Sequence, residues 1–374
     1  MRILIVGDLS SIWLDKLLSR LIPLTNHSFF ILDIFRAQYL PATRLKETRL
    51  IKLPEKGLRK NIFHFISSLK SILILLFSTR FDIIHIHFAN PLLYFFLPLL
   101  KLKSRKILVS LYGSDFYKLS PKQYRRQEVI YNASTKITVT NHRISEDFLK
   151  CFPLLRPKIV ICRFGLSILH EIDQVEGDSV KAKSILKFPH DKIILCIGHS
   201  ANVREQHPEI IAQLRRLPDS LKKRLLAVLP FTYNSFAVLY NKVDHDMKAS
   251  GINYVILTKH LSDRDVAALR LSSDIMLNLP ISDQMTAAML ETLYAGGVVI
   301  TGSWLPYDKL DAEKISYIKI DRMDELPQKL EDVFERHSMA KPVVDAAHNK
   351  TVIGKLFNWN ECIEDWRELY SEKN

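Results

Sequence analysis

Cysteine is scarce, four residues in 374. Cys151, Cys162, Cys196 and Cys362 stand far apart, with no CxxC pair and no Cys/His ligand spacing. That excludes a disulfide framework or a zinc ribbon and leaves core thiols in a reducing compartment. Glycine and proline are also few, at 11 and 16, so long linkers and disordered tracts are not expected. No apolar run reaches the ~20 residues that cross a bilayer. The longest are residues 62–77, interrupted by His64 and Lys70, and residues 91–100. The opening MRILIVGD has one basic residue and a short apolar run ending in Gly-Asp, the pattern of a buried first strand and not of a signal peptide. Gly7 lacks the further glycines of a dinucleotide fingerprint. No Asp-x-Asp element flanked by apolar strands occurs, so no divalent ion is expected.

What the chain does have is positive charge. Its 53 Lys and Arg against 40 Asp and Glu leave +13, which favours an anionic partner: a nucleic acid, a phosphorylated small molecule or an acidic membrane surface. The cations are scattered and not interleaved with aromatics on one face, which argues against nucleic acid. Two looser groups, Lys56, Arg59, Lys60 and Lys70, then Lys101, Lys103, Arg105 and Lys106, accompany the two longest apolar segments. Such surfaces dock on anionic lipid without spanning it, or else the two helices cover a sheet and the cations form a solvated rim.

Length and the 47% hydrophobic content predict two domains. Short apolar runs (RILIVG, FFILDIF, DIIHIHF, KILVSLYG, KITVTN, KIVICRFG) alternate with helical segments near residues 11–21, 60–77 and 92–102. Buried strands alternating with helices predict βαβ units and a parallel, doubly wound sheet. Residues 166–191 are polar and hold no convincing strand, so they are expected to connect the domains. A second series follows with KIILCIG, RLLAVLPF, INYVIL, DIMLNL and GGVVITG, separated by helices. The expected division is residues 1–170, residues 171–357, and a closing amphipathic helix over 358–374 whose aromatics pack it down and which crosses back to the first domain. Ligands in such sheets sit at the carboxyl ends of strands, which makes a cleft between facing domains the expected site.

The stretch ISDQMTAAMLETLYAGGVVITG, residues 281–302, is almost uncharged except for Asp283 and Glu291. With Ser282 or Asp283 as N-cap, a helix is predicted from about Gln284 to Tyr294. Its free N–H groups at Gln284 to Thr286 suit a diphosphate. Glu291 lies two turns further in, on an apolar helix, where burial is costly unless something donates to it. Ribose hydroxyls would serve, and so would a buried Lys or Arg. His85 and His87 alternate on a strand and share one side, either as a satisfied core pair or as part of a site. Asp115 after Gly113 and Ser114 is a site residue or the cap of the next turn. Gly198, His199 and Ser200 end a strand, where loops carry function, and Gly7 allows close approach of a ligand.

These motifs together resemble nucleotide-sugar glycosyltransferases of the GT-B architecture, especially the retaining family 4. Asp283-x7-Glu291 followed by YAGGVVITG resembles that family's Glu-x7-Glu element and G-x-P-V-V strand. DIIHIHFA and ILVSLYGSDFY resemble its D-I-I-H-x-H strand and H-G-x-D strand end, and ICRFGLS stands at the place of N-G-V-D. ILCIGHSANVREQH and VLPFTY are more similar to the G-N-S-x-x-x-x-N-x-H loop and L-P-L-T-Y of the transferase that adds a 4-acetamido-dideoxy sugar to lipid-linked enterobacterial common antigen.

The resemblance implies an α/β fold of two Rossmann-like domains and a hexosyltransferase-like, metal-independent enzyme with no cofactor beyond its nucleotide-diphosphate sugar. The acceptor would be a glycan or polyprenyl-diphosphate-linked sugar of surface polysaccharide, lipopolysaccharide or capsule, met in the cytoplasm at the inner face of a bacterial plasma membrane. It implies that Asp283 lies near the transferred sugar and Glu291 on the ribose, with Gly198, His199, Ser200, Arg204, Gln284 and Thr286 around the donor. Asp115 or His87 would orient or deprotonate the acceptor hydroxyl. The sequence departs from the family at Tyr112, where histidine is common, and lacks the Arg/Lys clamp after Gly198. Either Arg204, Arg163 and Lys259 supply that charge, or the helix N-terminus carries more of it. Retention and inversion both stay open, and a nucleotide-sugar 2-epimerase of the same architecture or a basic nucleic-acid-binding or scaffold protein are the alternatives.

Overall fold

The fold is a computed structural model that describes residues 1–47, 58–117, 119–175, 178–232, 237–282, 286–338 and 343–371. Two compact units are present, one of Met1–Gly165 with Trp359–Asn374 and one of Leu166–Asn358. Each is an α/β sandwich around a single sheet.

The first sheet comprises β1 (Arg2–Val6), β2 (Ser28–Asp33), β3 (Gln38–Pro41), β4 (Ile83–His87), β5 (Lys106–Leu111), β6 (Lys136–Val139) and β7 (Ile159–Ile161). Their spatial order is β3-β2-β1-β4-β5-β6-β7. All pairs are parallel except β2 with β3. This antiparallel edge strand is not foreseen in the sequence. It is four residues long and ends on Pro41, which only an edge tolerates, and Tyr39 stacks flat on Phe30 across it. Helix α1 (Ile12–Leu21) is capped by Ser11 and buries Leu14, Leu17, Leu18 and Leu21. Helix α2 (Leu58–Phe77) is followed after β4 by a 3-10 turn Pro91–Phe96 and helix α3 (Leu97–Lys103), where one continuous helix is expected. Pro91 and Pro98 each open a segment, since proline suits a first turn and breaks an interior.

The closing helix Trp359–Leu369 belongs to the first unit. Trp359, Ile363, Trp366 and Tyr370 are all buried against β1, β2 and α1 residues. Arg163 and Asp365 fasten it, with Nε 2.9 Å from Oδ2.

The second sheet has β8 (Ile193–Ile197), β9 (Leu225–Pro230), β10 (Asn253–Leu257), β11 (Ile275–Asn278), β12 (Val298–Gly302) and β13 (Ile318–Ile320), in the order β10-β9-β8-β11-β12-β13, all parallel. Residues 166–191 are not a polar connection. They form the helices Ile168–Gln174 and Ser179–Leu186, with Ile168, Leu169, Ile172 and Ala182 in the core of the second unit. Their apolar residues are too few per turn to stand out against the intervening charges. Three of the four cysteines are core thiols, whereas Cys151 is exposed at the end of a surface helix.

Candidate functional site

In a doubly wound sheet the chain leaves adjacent strands in opposite directions at one point, and that point opens a crevice at the strands' carboxyl ends. In the first sheet it falls between β1 and β4, and in the second between β8 and β11. Among the described candidates, His87 ends β4, Gly198, His199, Ser200 and Arg204 follow β8, and Thr286 follows β11.

In the first unit His85 and His87 share one side of β4, with ring centroids 4.1 Å apart. They differ in what surrounds them. His85 is fully buried and uses both nitrogens, Nδ1 toward the Tyr370 hydroxyl at 2.5 Å and Nε2 toward Ser110 Oγ at 2.7 Å. It is a satisfied core histidine. His87 has Nδ1 2.8 Å from the Tyr112 hydroxyl and its face against Trp366, centroids 5.8 Å apart. Its Nε2 is buried with no partner. Desolvation pushes His87 down to about 3, so the ring is neutral. Desolvation, aided by the nearby Asp115 charge, also pushes the Tyr112 phenol far up. If Tyr112 donates to Nδ1, Nε2 carries the proton; if Nδ1–H donates to Tyr112, Nε2 is a bare acceptor. Either way Nε2 is the atom left for a ligand.

Gly7 makes room for this histidine. A Cβ there would lie 3.2 Å from Leu14 Cδ2 and 3.4 Å from His87 Cβ, so a side chain at this position would press on both. The next residue, Phe88, is exposed and left-handed at φ 67°, a conformation a bulky side chain adopts only under constraint.

Asp115 is buried, and its carboxylate accepts three backbone N–H bonds at 2.9 Å: Oδ1 from Tyr112 and Gly113, Oδ2 from Ala89. Gln127 reaches both the Ala89 and Asp115 carbonyls. Burial pushes the Asp115 carboxyl up, and the amide bonds work against that rise. These bonds run back to Tyr112 and Gly113 and across to Ala89, not forward into the next turn as a cap's would, so the geometry is that of a loop tie. It ties the loop after β4 to the loop after β5, with few lone pairs left to take a proton.

In the second unit the chain after β8 turns at Gly198, at φ 64°. A Cβ there would meet Glu205 Oε2 at 2.8 Å and His207 Nε2 at 3.0 Å. Glu205 is buried, with Ser200 Oγ 3.3 Å and His199 Nδ1 3.1 Å from its Oε1, the latter out of hydrogen-bonding alignment. Its Oε2 and both ring nitrogens of fully buried His207 are unpartnered. Burial pushes His207 down to about 4, against the pull of Glu205. The nearby Ile197 carbonyl also favours the protonated ring without meeting hydrogen-bonding geometry. Glu205 and His207 were not picked out in the sequence, although both lie in the quoted loop GHSANVREQH.

Three bonds stitch this loop to β11 and the chain beyond it: Gly198 N to Leu277 O at 3.0 Å, Ile281 N to Arg204 O at 2.9 Å, and Gln206 Nε2 to Leu279 O at 2.7 Å. Arg204 is exposed, and its guanidinium forms no ion pair among the described residues. Lys259 is exposed after β10. Arg163 cannot add to this charge, because Asp365 in the first unit already holds it.

The helix after β11 runs Ala287–Tyr294 with Thr286, itself buried, at its N-cap. Asp283 and Gln284 lie outside the described residues. Glu291 is buried, and its Oε2 accepts from Arg270 Nε at 3.1 Å. Both side chains are 8% exposed. The donor required by a carboxylate on an apolar helix is therefore Arg270, on the helix Asp263–Ser272. Arg270 Nη1 is buried and unpartnered, as is Oδ1 of Asn278 at the end of β11, whose Nδ2 donates to the Tyr307 hydroxyl at 2.8 Å.

Comparison with known proteins agrees with this architecture. Residues 3–141 match the family described as Glycosyl transferase 4-like. No curated protein sequence matches. Among solved structures, a glycosyltransferase from Rickettsia africae is similar with a TM-score of 0.74 and 15% identity, over 99% of this chain and 98% of that one. HepE of Anabaena, in complex with UDP and glucose, is similar with a TM-score of 0.66 and 11% identity over the whole of both chains. Sucrose-phosphate synthase of Thermosynechococcus elongatus has a TM-score of 0.65 and 12% identity, over 99% and 98%. At these identities the likeness is one of fold: two Rossmann-like α/β domains of the GT-B architecture.

Proposed function

We propose that the protein is a glycosyltransferase that moves a hexose-like sugar from a nucleoside diphosphate donor to a glycan or polyprenyl-diphosphate-linked acceptor of surface polysaccharide, lipopolysaccharide or capsule. The observation that carries this reading is the stitched pair of loops at the β8/β11 reversal, with a left-handed glycine, an uncommitted arginine and four unpartnered buried polar atoms in the loop after β8. Backbone N–H groups and one or two cations can stabilise a departing diphosphate without a divalent ion. Gly198, His199, Ser200 and Arg204 are assigned to that diphosphate together with Gln284 and Thr286, Asp283 to the sugar, and Glu291, steadied by Arg270, to the ribose. The UDP complexes of the structural relative HepE favour a nucleotide-sugar donor.

The acceptor is assigned to the first unit. Its hydroxyl oxygen forms a bond to the anomeric carbon as the bond to the diphosphate breaks; a bare Nε2 of His87 takes up the hydroxyl proton, whereas a protonated Nε2 only orients the hydroxyl oxygen and the proton leaves on the departing diphosphate. Asp115 holds the strand ends that present His87. The test is release of nucleoside diphosphate from a panel of nucleotide sugars supplied with a bacterial lipid extract. His87→Gln is expected to lower turnover about 100-fold while donor binding is retained. Turnover unchanged in that variant contradicts the assignment of His87.

A further inference from the structure

Helix α2 is turned inside out. Its inward face carries Ser67, Ser71 and Leu75, all buried, with Ser71 Oγ donating to the Ile34 carbonyl at 3.2 Å. Its outward face carries Phe65, Ile66, Leu69, Leu73, Leu76 and Phe77, between 46% and 87% exposed. At 3.6 residues per turn these six fall within an arc of about 120° centred opposite Ser71. A surface helix of a water-soluble unit places these two sets the other way round. Beside it, α3 packs against α2 and exposes Leu102, and the turn before α3 exposes Phe95.

The segment that carries this face is cationic. Residues 58–106 hold eight Lys and Arg and a single acid, Asp82, which is occupied by the Arg2 N–H at 2.6 Å. No helix among the described residues is long and apolar enough to cross a membrane. A long helix with an apolar outer stripe in a cationic segment lies in the headgroup boundary of a bilayer. A second copy of the chain is a poorer occupant, since it would set the same cationic excess against itself.

We propose that the outer face of α2, with Phe95 and Leu102 alongside, is a docking surface for an anionic lipid bilayer. The assignment bears on where the enzyme meets its acceptor, but it rests on this face alone and requires no nucleotide sugar.

Co-sedimentation of the full chain with vesicles of phosphatidylglycerol and phosphatidylcholine in equal parts tests it. The protein is expected to pellet with these vesicles and to bind pure phosphatidylcholine about tenfold less or weaker. Leu69→Glu/Leu73→Glu is expected to lose about tenfold or more of the binding, with an unchanged melting temperature. Phe65→Ser/Phe77→Ser, at the two ends of the stripe, serves as the second variant. A protein that stays in solution, that binds both lipids equally, or that binds undiminished in folded variants overturns the proposal. So does a dimer in sedimentation velocity that the same substitutions dissolve.

Discussion

At the scale of single residues, the molecule turns on which buried polar groups are satisfied. Two histidines on one strand look alike in the sequence, yet His85 spends both nitrogens in the core while His87 keeps one open. No spacing rule distinguishes them, because the distinction comes from Tyr370 and Ser110, 285 and 25 residues away from His85. Glu291 is a similar case. Its isolation on an apolar helix is legible, but its partner Arg270 comes from the preceding helix. Breaking a buried pair leaves the other charge stranded, at a cost of about 3–5 kcal/mol. Glu291→Ala is therefore expected to lower the unfolding free energy from urea melts by that amount, and Glu291→Met with Arg270→Met to recover most of it. A fully stable Glu291→Ala variant would show the pair to be absent in solution. Loss of donor affinity in Glu291→Ala alone does not establish a ribose contact, and the paired variant is the proper comparison.

At the scale of elements, the alternation of apolar runs and helices makes most of both sheets legible. The missed pieces, β3 and β13, are edge strands with the sequences QYLP and IKI, which lack the unbroken apolar run of a strand buried on both faces. The helices at residues 168–186 were hidden by their charge, and the start of the helix after β11 shifts to Ala287. The spacing of aromatics shows in the sequence that the closing helix packs down, as it does, whereas its fastening by Arg163, 202 residues from Asp365, leaves no local signal. Gly165 is the hinge of that fit, since a Cβ there would come within 2.5 Å of the Trp359 ring and 2.7 Å of its Cα. Backbone cannot step aside as a side chain tip can, so Gly165→Ala should cost about 1–3 kcal/mol and disturb near-ultraviolet signals from Trp359 and Trp366. Gly354, inside the helix Ala346–Phe357, offers the contrast. There a Cβ would make an ordinary 3.5 Å contact with Tyr294, and Gly354→Ala should stabilise by about 0.5–1 kcal/mol. Equal effects of the two substitutions on the melting temperature would contradict the packing described.

At the scale of the whole molecule, three buried histidines make acid the weak side of the protein. Desolvation holds His85 well below its ordinary value, His87 at about 3 and His207 at about 4. The unfolded chain takes up these protons from about pH 6.5 downward while the folded chain does not, so stability must fall as pH falls. Each group contributes about 1.4 kcal/mol per pH unit, until His207 and then His87 titrate in the folded state. The raised carboxyl of Asp115 opposes this with one group against three. Urea melts from about pH 8 to pH 5 should show a flat stretch and then a decline, steeper in the native protein than in His207→Leu. A midpoint independent of pH across that range would contradict the buried, neutral assignment.

The central claim is that the loops at the β8/β11 reversal bind a nucleoside diphosphate. The most direct measurement is a thermal-shift titration of the full chain with UDP, GDP and dTDP and their sugars, with Arg204→Ala alongside. Arg204 is exposed, so its removal should leave the unliganded melting temperature in place. The account predicts that one nucleotide family stabilises the protein, by about 2.7 kcal/mol at a hundredfold excess over its dissociation constant, and that Arg204→Ala loses most of this gain. A folded protein that no nucleotide stabilises, or a variant that gains as much as the native chain, would contradict it.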